Sequence, residues 1–203
     1  PRNLPRDIKI LKKFKVDFLL LPKKKQIYKK KQSMKLKLST KDKILCAKYR
    51  KGHFEGVLAV INQFLNNIKP KYMFLGEKDF QQLYLIKKFI NKKFKTKIIS
   101  CKTIRDKKMV ALSSRNNLLN NKDLILSSKI AKILIKFKKK LIKNFNKKNQ
   151  IKKIKDEIKK FKNIYVEYLE IRNKFNFSKK INKHNFKIFV AYYNKNVRLI
   201  DNY

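Results

Sequence analysis

The stretch VLAVINQFLNNIKPKYMFLGEKDFQQLYLIKKFINKKFKTKIISC, residues 57–101, decides the fold. Its apolar residues at positions 57, 60, 61, 64, 65 and 68 follow the i, i+3, i+4, i+7 spacing of one helix face, which Pro70 ends. Short apolar runs at 72–75 and 97–101 predict strands, and the amphipathic pattern at 80–91 predicts a helix between them. A strand, a helix and a strand in this order form a βαβ unit with two parallel strands, so the fold class is α/β.

The segments before this stretch predict further pieces of the same kind of fold. Residues 3–13 have the apolar spacing of a short amphipathic helix. The continuous apolar run at 16–21, closed by Pro22, predicts a buried strand. A short strand is predicted near 35–38, with loops on either side.

The chain changes character after Arg105. Long Lys-rich helical patterns cover 123–145 and 151–161, and strands are predicted at 165–172, 187–193 and 197–200 with a hairpin turn at 193–196. We therefore expect two domains. Residues 1–102 form a partial Rossmann-like domain with a parallel sheet, and residues 103–203 form a smaller α+β domain.

The charge is large but spread along the whole chain. The 203 residues carry 57 Lys and Arg against 13 Asp and Glu, a formal net charge of +44. Base readout in nucleic acids favours Arg and a concentrated patch, whereas this excess is almost all Lys, so we expect no specific nucleic-acid partner. A basic nucleic-acid-binding protein built on the Lys-rich second half remains the alternative from another class.

Other features of the composition indicate the redox compartment and argue against membrane spans and metal sites. No run of about 18 apolar residues occurs, so no transmembrane span and no membrane partner are predicted. Cys46 and Cys101 lie far apart and outside any metal-binding spacing, which indicates a reducing compartment. With only His53 and His184 present, we expect no metal site built on protein side chains.

Glycine is scarce, which makes each one informative. The only three are Gly52, Gly56 and Gly76, and all lie near the start of a predicted helix. In so glycine-poor a chain, they are candidates for positions that cannot carry a Cβ, because φ is positive or because a ligand meets the backbone.

The segment Gly76-Glu77-Lys78-Asp79 has the chemistry of a phosphate cradle. It follows a predicted strand and precedes a predicted helix, so free backbone N–H groups and the helix dipole would face an anion there. Lys78 adds a mobile positive charge. The alternative is that Asp79 caps the helix with Gln82 as its partner three residues later.

A second set of donors lies in Leu112-Ser113-Ser114-Arg115. Two adjacent hydroxyls and a guanidinium are able to donate several hydrogen bonds to phosphate oxygens. The alternative is an ordinary Ser/Asn-rich turn before a helix.

In this order along the chain, these segments resemble the pantoate-β-alanine ligase family. The matching pieces cover almost all of it: PRNLPRD at 1–7, KVDF at 15–18, GHFEGV at 52–57, GEKDFQQL at 76–83, TIR at 103–105, ALSSRN at 111–116, YLEIR at 168–172 and RLIDN at 198–202.

The resemblance implies a cytoplasmic, usually homodimeric enzyme. It would join D-pantoate to β-alanine with ATP and Mg²⁺ through a pantoyl adenylate, releasing AMP and pyrophosphate. It also implies a Rossmann-like nucleotidyltransferase domain covered by a smaller lid domain, and Mg²⁺ that arrives with ATP.

The resemblance further assigns roles to single residues. Lys78 and Arg115 would stabilise the phosphates and the leaving pyrophosphate, Asp79 would lie near the ribose and Gln82 would bind pantoate. His53 would either contact substrate or only order its turn. The full set implied for ATP is Gly76, Glu77, Lys78, Asp79, Ile104, Leu112, Ser113, Ser114 and Arg115.

The chain also departs from the family pattern. The family's first strand, its HIGH-like motif with the proton-donor histidine and its pantoate loop have no match here. Lys51 stands where proline is usual, and Lys108-Met109 replaces an Asp-Gly pair. We therefore expect a truncated piece of the ligase that does not catalyse alone, with an inactive remnant as the alternative.

Overall fold

A parallel pair of strands forms the first sheet. The computed structural model describes residues 3–27, 36–90, 93–145 and 150–203. Strands β1 (Tyr72–Gly76) and β2 (Lys97–Cys101) pair in parallel, with Gly76 opposite Cys101. Helix α5 (Phe80–Ile90) connects them. The predicted βαβ unit is confirmed.

The helix before β1 follows the predicted stripe. Helix α4 (His53–Ile68) buries Phe54, Leu58 and Leu65. It begins after Gly52, whose φ of 77° lies in the left-handed region that favours glycine. Gly56 and Gly76 differ from Gly52 in that their φ is not in this region, whereas a Cβ at any of the three would meet no described atom within 4 Å. The positive-φ alternative is therefore confirmed at Gly52 only, and close approach of a ligand to Gly56 or Gly76 stays a prediction.

Three antiparallel strands form the second sheet. Strand β4 (Phe186–Asn194) lies between β3 (Ile164–Asn173) and β5 (Val197–Asn202). A two-residue turn joins β4 to β5, and Lys195 in it has a φ of 52°. Helices α6 (Asn121–Lys143) and α7 (Gln150–Lys159) precede this sheet. The predicted strands, hairpin and long helices of the second half are confirmed.

Strand β4 contributes to two hydrophobic clusters. Ile188 and Val190 belong to the cluster that contains residues of α6 and α7, whereas Phe189 and Ala191 belong to the cluster that contains residues of α4 and α5. Successive side chains of a strand point to opposite faces, so both faces of the second sheet are covered. The Phe80 ring lies 5.8 Å from that of Phe189, which ties the start of α5 to this sheet.

The beginning of the chain differs from the sequence prediction. Helix α1 (Leu4–Lys13) forms as expected, and the Asn3 side chain caps it by accepting from the Arg6 N–H at 3.1 Å. Residues 16–21 do not form the predicted buried strand, and the Phe18 side chain is 92% exposed. No strand in the described ranges lies beside this run to pair with it. An apolar run alone does not reveal whether such a neighbour exists.

The next segments are short. Helices α2 (Lys24–Ile27) and α3 (Cys46–Tyr49) are single turns, and Thr40–Asp42 is a 3-10 turn. The strand predicted near 35–38 is absent at 36–38, and position 35 lies outside the described residues. Among the helices described, none has the length and apolar character needed to cross a bilayer.

Candidate active site

The turn after β1 forms one wall of the site. Gly76 ends β1, and Glu77–Asp79 forms a single 3-10 turn that leads into α5. The turn therefore lies at the carboxyl end of a parallel strand, the usual ligand-binding edge of such sheets. In the part of the chain that the structure describes, the Asp79 carboxylate makes no hydrogen bond to a backbone N–H of α5. The capping alternative for Asp79 and Gln82 has no support.

Asn202 of β5 holds this turn in place. Its side-chain amide donates to the carbonyl oxygens of Glu77 and Lys78, both at 2.9 Å. The Lys187 ammonium donates to the Asn202 amide oxygen at 2.9 Å and lies 4.5 Å from the centre of the Phe80 ring. Burial lowers the pKa of Lys187 to about 8. Sequence reasoning included Asn202 only within a motif and missed this anchoring role.

The loop between β2 and α6 forms the opposite wall. An isolated antiparallel bridge pairs Arg105 with Ala111, and the Leu112 N–H donates to the Ile104 carbonyl oxygen at 2.9 Å. Met109, at the position where the family pattern has glycine, adopts a φ of 70°. That left-handed conformation is costly for a side-chain-bearing residue.

The two walls enclose a cleft of about 190 Å³. Five of the predicted ATP residues line it: Lys78, Asp79, Ser113, Ser114 and Arg115. Segments about 35 residues apart in sequence therefore meet in space, as expected if both contact one ligand. The cleft is basic because Arg50 and Arg198 also line it.

A smaller cavity of about 30 Å³ adjoins this cleft. His53 and Gln82 line it, and Arg50, Lys78 and Asp79 line both spaces. Burial lowers the pKa of His53 below its ordinary 6.5, and the nearby Arg50 guanidinium lowers it further. His53 is therefore neutral at pH 7.

Four predicted residues line neither space. Gly76 and Glu77 contribute the backbone of the turn, and the Glu77 carbonyl oxygen is taken by Asn202. The side chains of Ile104 and Leu112 lie outside both spaces and are 66% and 52% exposed. Their backbones are hydrogen-bonded to each other, so they form one exposed apolar edge beside the cleft.

Arg198 is a cleft residue that the sequence prediction missed. Its Nε lies 3.2 Å from both carboxylate oxygens of Glu167, and its Nη2 also binds Glu167. Glu167 sits at an irregularity of the β3–β4 pairing, a β-bulge that re-aims side chains. Arg198 Nη1 is buried without a hydrogen-bond partner in the described structure, and Arg115 donates to the Arg198 carbonyl oxygen at 2.7 Å.

The scarcity of arginine in the sequence could have identified Arg50 and Arg198 as candidate cleft residues. The chain has only seven, namely Arg2, Arg6, Arg50, Arg105, Arg115, Arg172 and Arg198. Three of them, Arg50, Arg115 and Arg198, line this one cleft.

The charge beside His53 gives a testable titration. Arg50→Gln removes a cation that disfavours the imidazolium, so the pKa of His53 should rise toward 6.5. The chemical shift of the His53 ring protons, followed by NMR against pH, measures it. The matched control is Lys51→Gln, which removes the same charge from an exposed neighbour where solvent screens it. An unchanged His53 titration in Arg50→Gln would contradict the described geometry.

Comparison with known proteins decides the family. A sequence profile described as Pantoate-beta-alanine ligase matches residues 1–203. The chain belongs to the pantoate-β-alanine ligase family. Among curated members, it is 34% identical over 209 residues to the pantothenate synthetase of Francisella philomiragia subsp. philomiragia and 35% identical over 210 residues to that of Francisella tularensis subsp. novicida. Each match covers 100% of this chain and 70% of the relative.

Solved structures of the pantoate-β-alanine ligase family have the same fold. The Francisella tularensis ligase complexed with Beta-gamma ATP and Beta-alanine superposes with a TM-score of 0.81 at 33% identity, covering 100% of this chain and 70% of that one. Pantothenate synthetase from Thermus thermophilus superposes with a TM-score of 0.89 at 22% identity, covering 100% and 75%. The fold is thus the nucleotidyltransferase-like α/β fold expected from the family resemblance.

Proposed function

We propose that this chain binds MgATP in the 190 Å³ cleft and belongs to an enzyme that joins pantoate to β-alanine. The observation that carries the proposal is the convergence, on one basic cleft, of the two separate segments that the sequence predicts to bind phosphate. Lys78 comes from the turn after β1, and Ser113, Ser114 and Arg115 come from the loop before α6. Family membership and the ATP named for the Francisella tularensis structure support this assignment.

The first proposed step activates pantoate. Its carboxylate oxygen attacks the α-phosphorus of ATP, the bond from the α-phosphorus to the α,β-bridging oxygen breaks, and pyrophosphate leaves with the electron pair. Negative charge builds up on the phosphoryl oxygens and on the leaving group, which fixed cations stabilise. Lys78 and Arg115 are the side chains proposed for that role. Gln82, in the adjoining cavity, is proposed to hydrogen-bond pantoate.

The second proposed step forms the amide. The neutral amine of β-alanine attacks the acyl carbon of pantoyl adenylate, AMP leaves with the carbon–oxygen bond electrons and the nitrogen loses a proton. The site has to hold the amine close to the acyl carbon, because positioning supplies much of the rate of such a reaction. His53, neutral at pH 7, lines the cavity in which this attack would occur.

The remaining assignments belong to the same proposal. Residues 1–102 are proposed as the nucleotide-binding domain, which contains the βαβ unit, and residues 103–203 as the lid that carries the Arg115 loop. Mg²⁺ is proposed to arrive bound to the triphosphate, since the described residues hold no cluster of three potential metal ligands. A cytoplasmic homodimer is proposed from the family resemblance.

Nucleotide binding tests the proposal directly. Calorimetric titration should show that the chain binds MgATP at least about tenfold more tightly than AMP, because the β- and γ-phosphates add charge-assisted hydrogen bonds. The ratio of the MgATP affinity to the AMP affinity should fall as the salt concentration rises. Equal affinity for ATP and AMP, or no saturable binding of either, would refute the assignment of the cleft to a triphosphate.

A further inference from the structure

Arg50 is a cation for which the proposed function has no role. It ends helix α3 and lines both the 190 Å³ cleft and the 30 Å³ cavity. Within the described ranges, its guanidinium forms neither an ion pair nor a hydrogen bond. Asp79 also lines both spaces, yet its carboxylate makes no hydrogen bond with Arg50. A guanidinium at the junction of two cavities is therefore available to a ligand.

The charge around Arg50 favours an anion. Burial and then the neighbouring Arg198 lower the pKa of Arg50, and Arg115 acts in the same direction. Among the described residues, only Arg198 of these three guanidiniums has a carboxylate partner, Glu167. Arg198 also keeps one buried donor, Nη1, without an acceptor. Excess positive charge is compensated when an anion binds.

The position of Arg50 indicates which kind of anion it would bind. If phosphates occupy the cleft of Lys78 and Arg115, and pantoate lies beside Gln82, the acyl–phosphate bond must lie where the two spaces meet. The attacking amine has to reach that junction. In β-alanine, three covalent bonds join the nitrogen to the carboxyl carbon, so its carboxylate lies within about 5 Å of the amine. The carboxylate must therefore also lie near the junction.

We propose that Arg50 binds the carboxylate of the amine substrate. This inference rests on the proposed function, because that function places the acyl–phosphate bond at the junction. The planar guanidinium is suited to a carboxylate, to which it donates two parallel hydrogen bonds. Arg50 is then a specificity residue that selects short ω-amino acids over simple amines.

The test compares two small ligands that differ in the carboxylate. β-Alanine and n-propylamine are titrated into the wild-type chain, and binding is followed by the NMR signals of the His53 ring, which lines the same cavity. The wild type should bind β-alanine about ten- to a hundredfold more tightly than propylamine, as expected for charge-assisted hydrogen bonds. Arg50→Gln should bind both ligands equally weakly. Arg50→Lys keeps the charge and should retain part of the preference.

Controls separate this inference from the proposed function. Lys51→Gln, which removes a charge from an exposed neighbour, should keep the full preference for β-alanine. Circular dichroism of Arg50→Gln checks that it folds, and Arg50→Lys tests the same contact in a milder variant. A wild type that does not prefer β-alanine, an Arg50→Gln variant that still does, or one that loses only MgATP affinity would overturn the inference. Failure of MgATP binding with an intact Arg50-dependent preference would instead overturn the proposed function alone.

Discussion

Lys78→Ala should weaken MgATP binding about ten- to a hundredfold, and Arg115→Ala should do the same. Each removes a cation that lines the 190 Å³ cleft from one of its two walls. Hydrogen bonds to charged groups contribute about 1.5–3 kcal/mol each, which corresponds to this loss of affinity. Calorimetric titration with MgATP measures it in the chain itself.

In the same two variants, the transition state for adenylate formation should lose more stabilisation than bound MgATP does. A preset donor to a developing negative charge contributes about 3–4 kcal/mol there, so pantoate-dependent exchange of pyrophosphate into ATP should fall about 10²–10³-fold in the complete enzyme. Lys41→Ala is the matched control, because Lys41 is exposed and lies outside the cleft. Normal exchange in Lys78→Ala or Arg115→Ala would show that these cations do not contact the reacting phosphates.

Glu167→Gln should destabilise the fold by about 3–5 kcal/mol. The Glu167 and Arg198 side chains are only 7% and 11% exposed, and removing one charge leaves the other buried without a partner. Such a loss is a large part of the roughly 5–15 kcal/mol that typically separates folded from unfolded states. Urea unfolding followed by circular dichroism measures the change.

Two further variants check the cause. Glu170→Gln breaks the ion pair with Arg172, but Glu170 is 33% exposed, so its loss should be about 1 kcal/mol or less. The double variant Glu167→Gln with Arg198→Met should recover part of the stability, because no uncompensated charge remains. If Glu167→Gln proves no more harmful than Glu170→Gln, the buried ion pair is not a main source of stability.

Local patterns predicted most of the regular elements. The apolar stripe of α4, the βαβ unit and the three strands of the second sheet each follow from spacings within a few residues. Residues 16–21 show the limit, because an apolar run does not reveal whether a neighbouring strand is present to pair with it. The sequence also did not predict that both faces of the second sheet are buried, because this depends on how helices α4 to α7 pack against it.

The sequence likewise predicted some residues of the candidate site and missed others. Lys78, Asp79, Ser113, Ser114 and Arg115 belong to short motifs with recognisable chemistry, and the structure brings them to one cleft. Arg198 and Asn202 were missed because each acts through partners distant in sequence. Arg198 binds Glu167, 31 positions earlier, and Asn202 binds the backbone of residues more than 120 positions earlier. No periodicity or motif encodes such pairings.

The two hydrogen bonds from Asn202 to the turn after β1 link the order of that turn to the docking of the last hairpin. A conformation in which β5 separates from β4 also releases the Glu77 and Lys78 carbonyl oxygens, and the turn then loses the shape that presents its lysine. Any ligand that binds the ordered turn must by reciprocity tighten the hairpin to the same extent. The Asn202 amide is thus one of the contacts that couple the second sheet to the turn after β1.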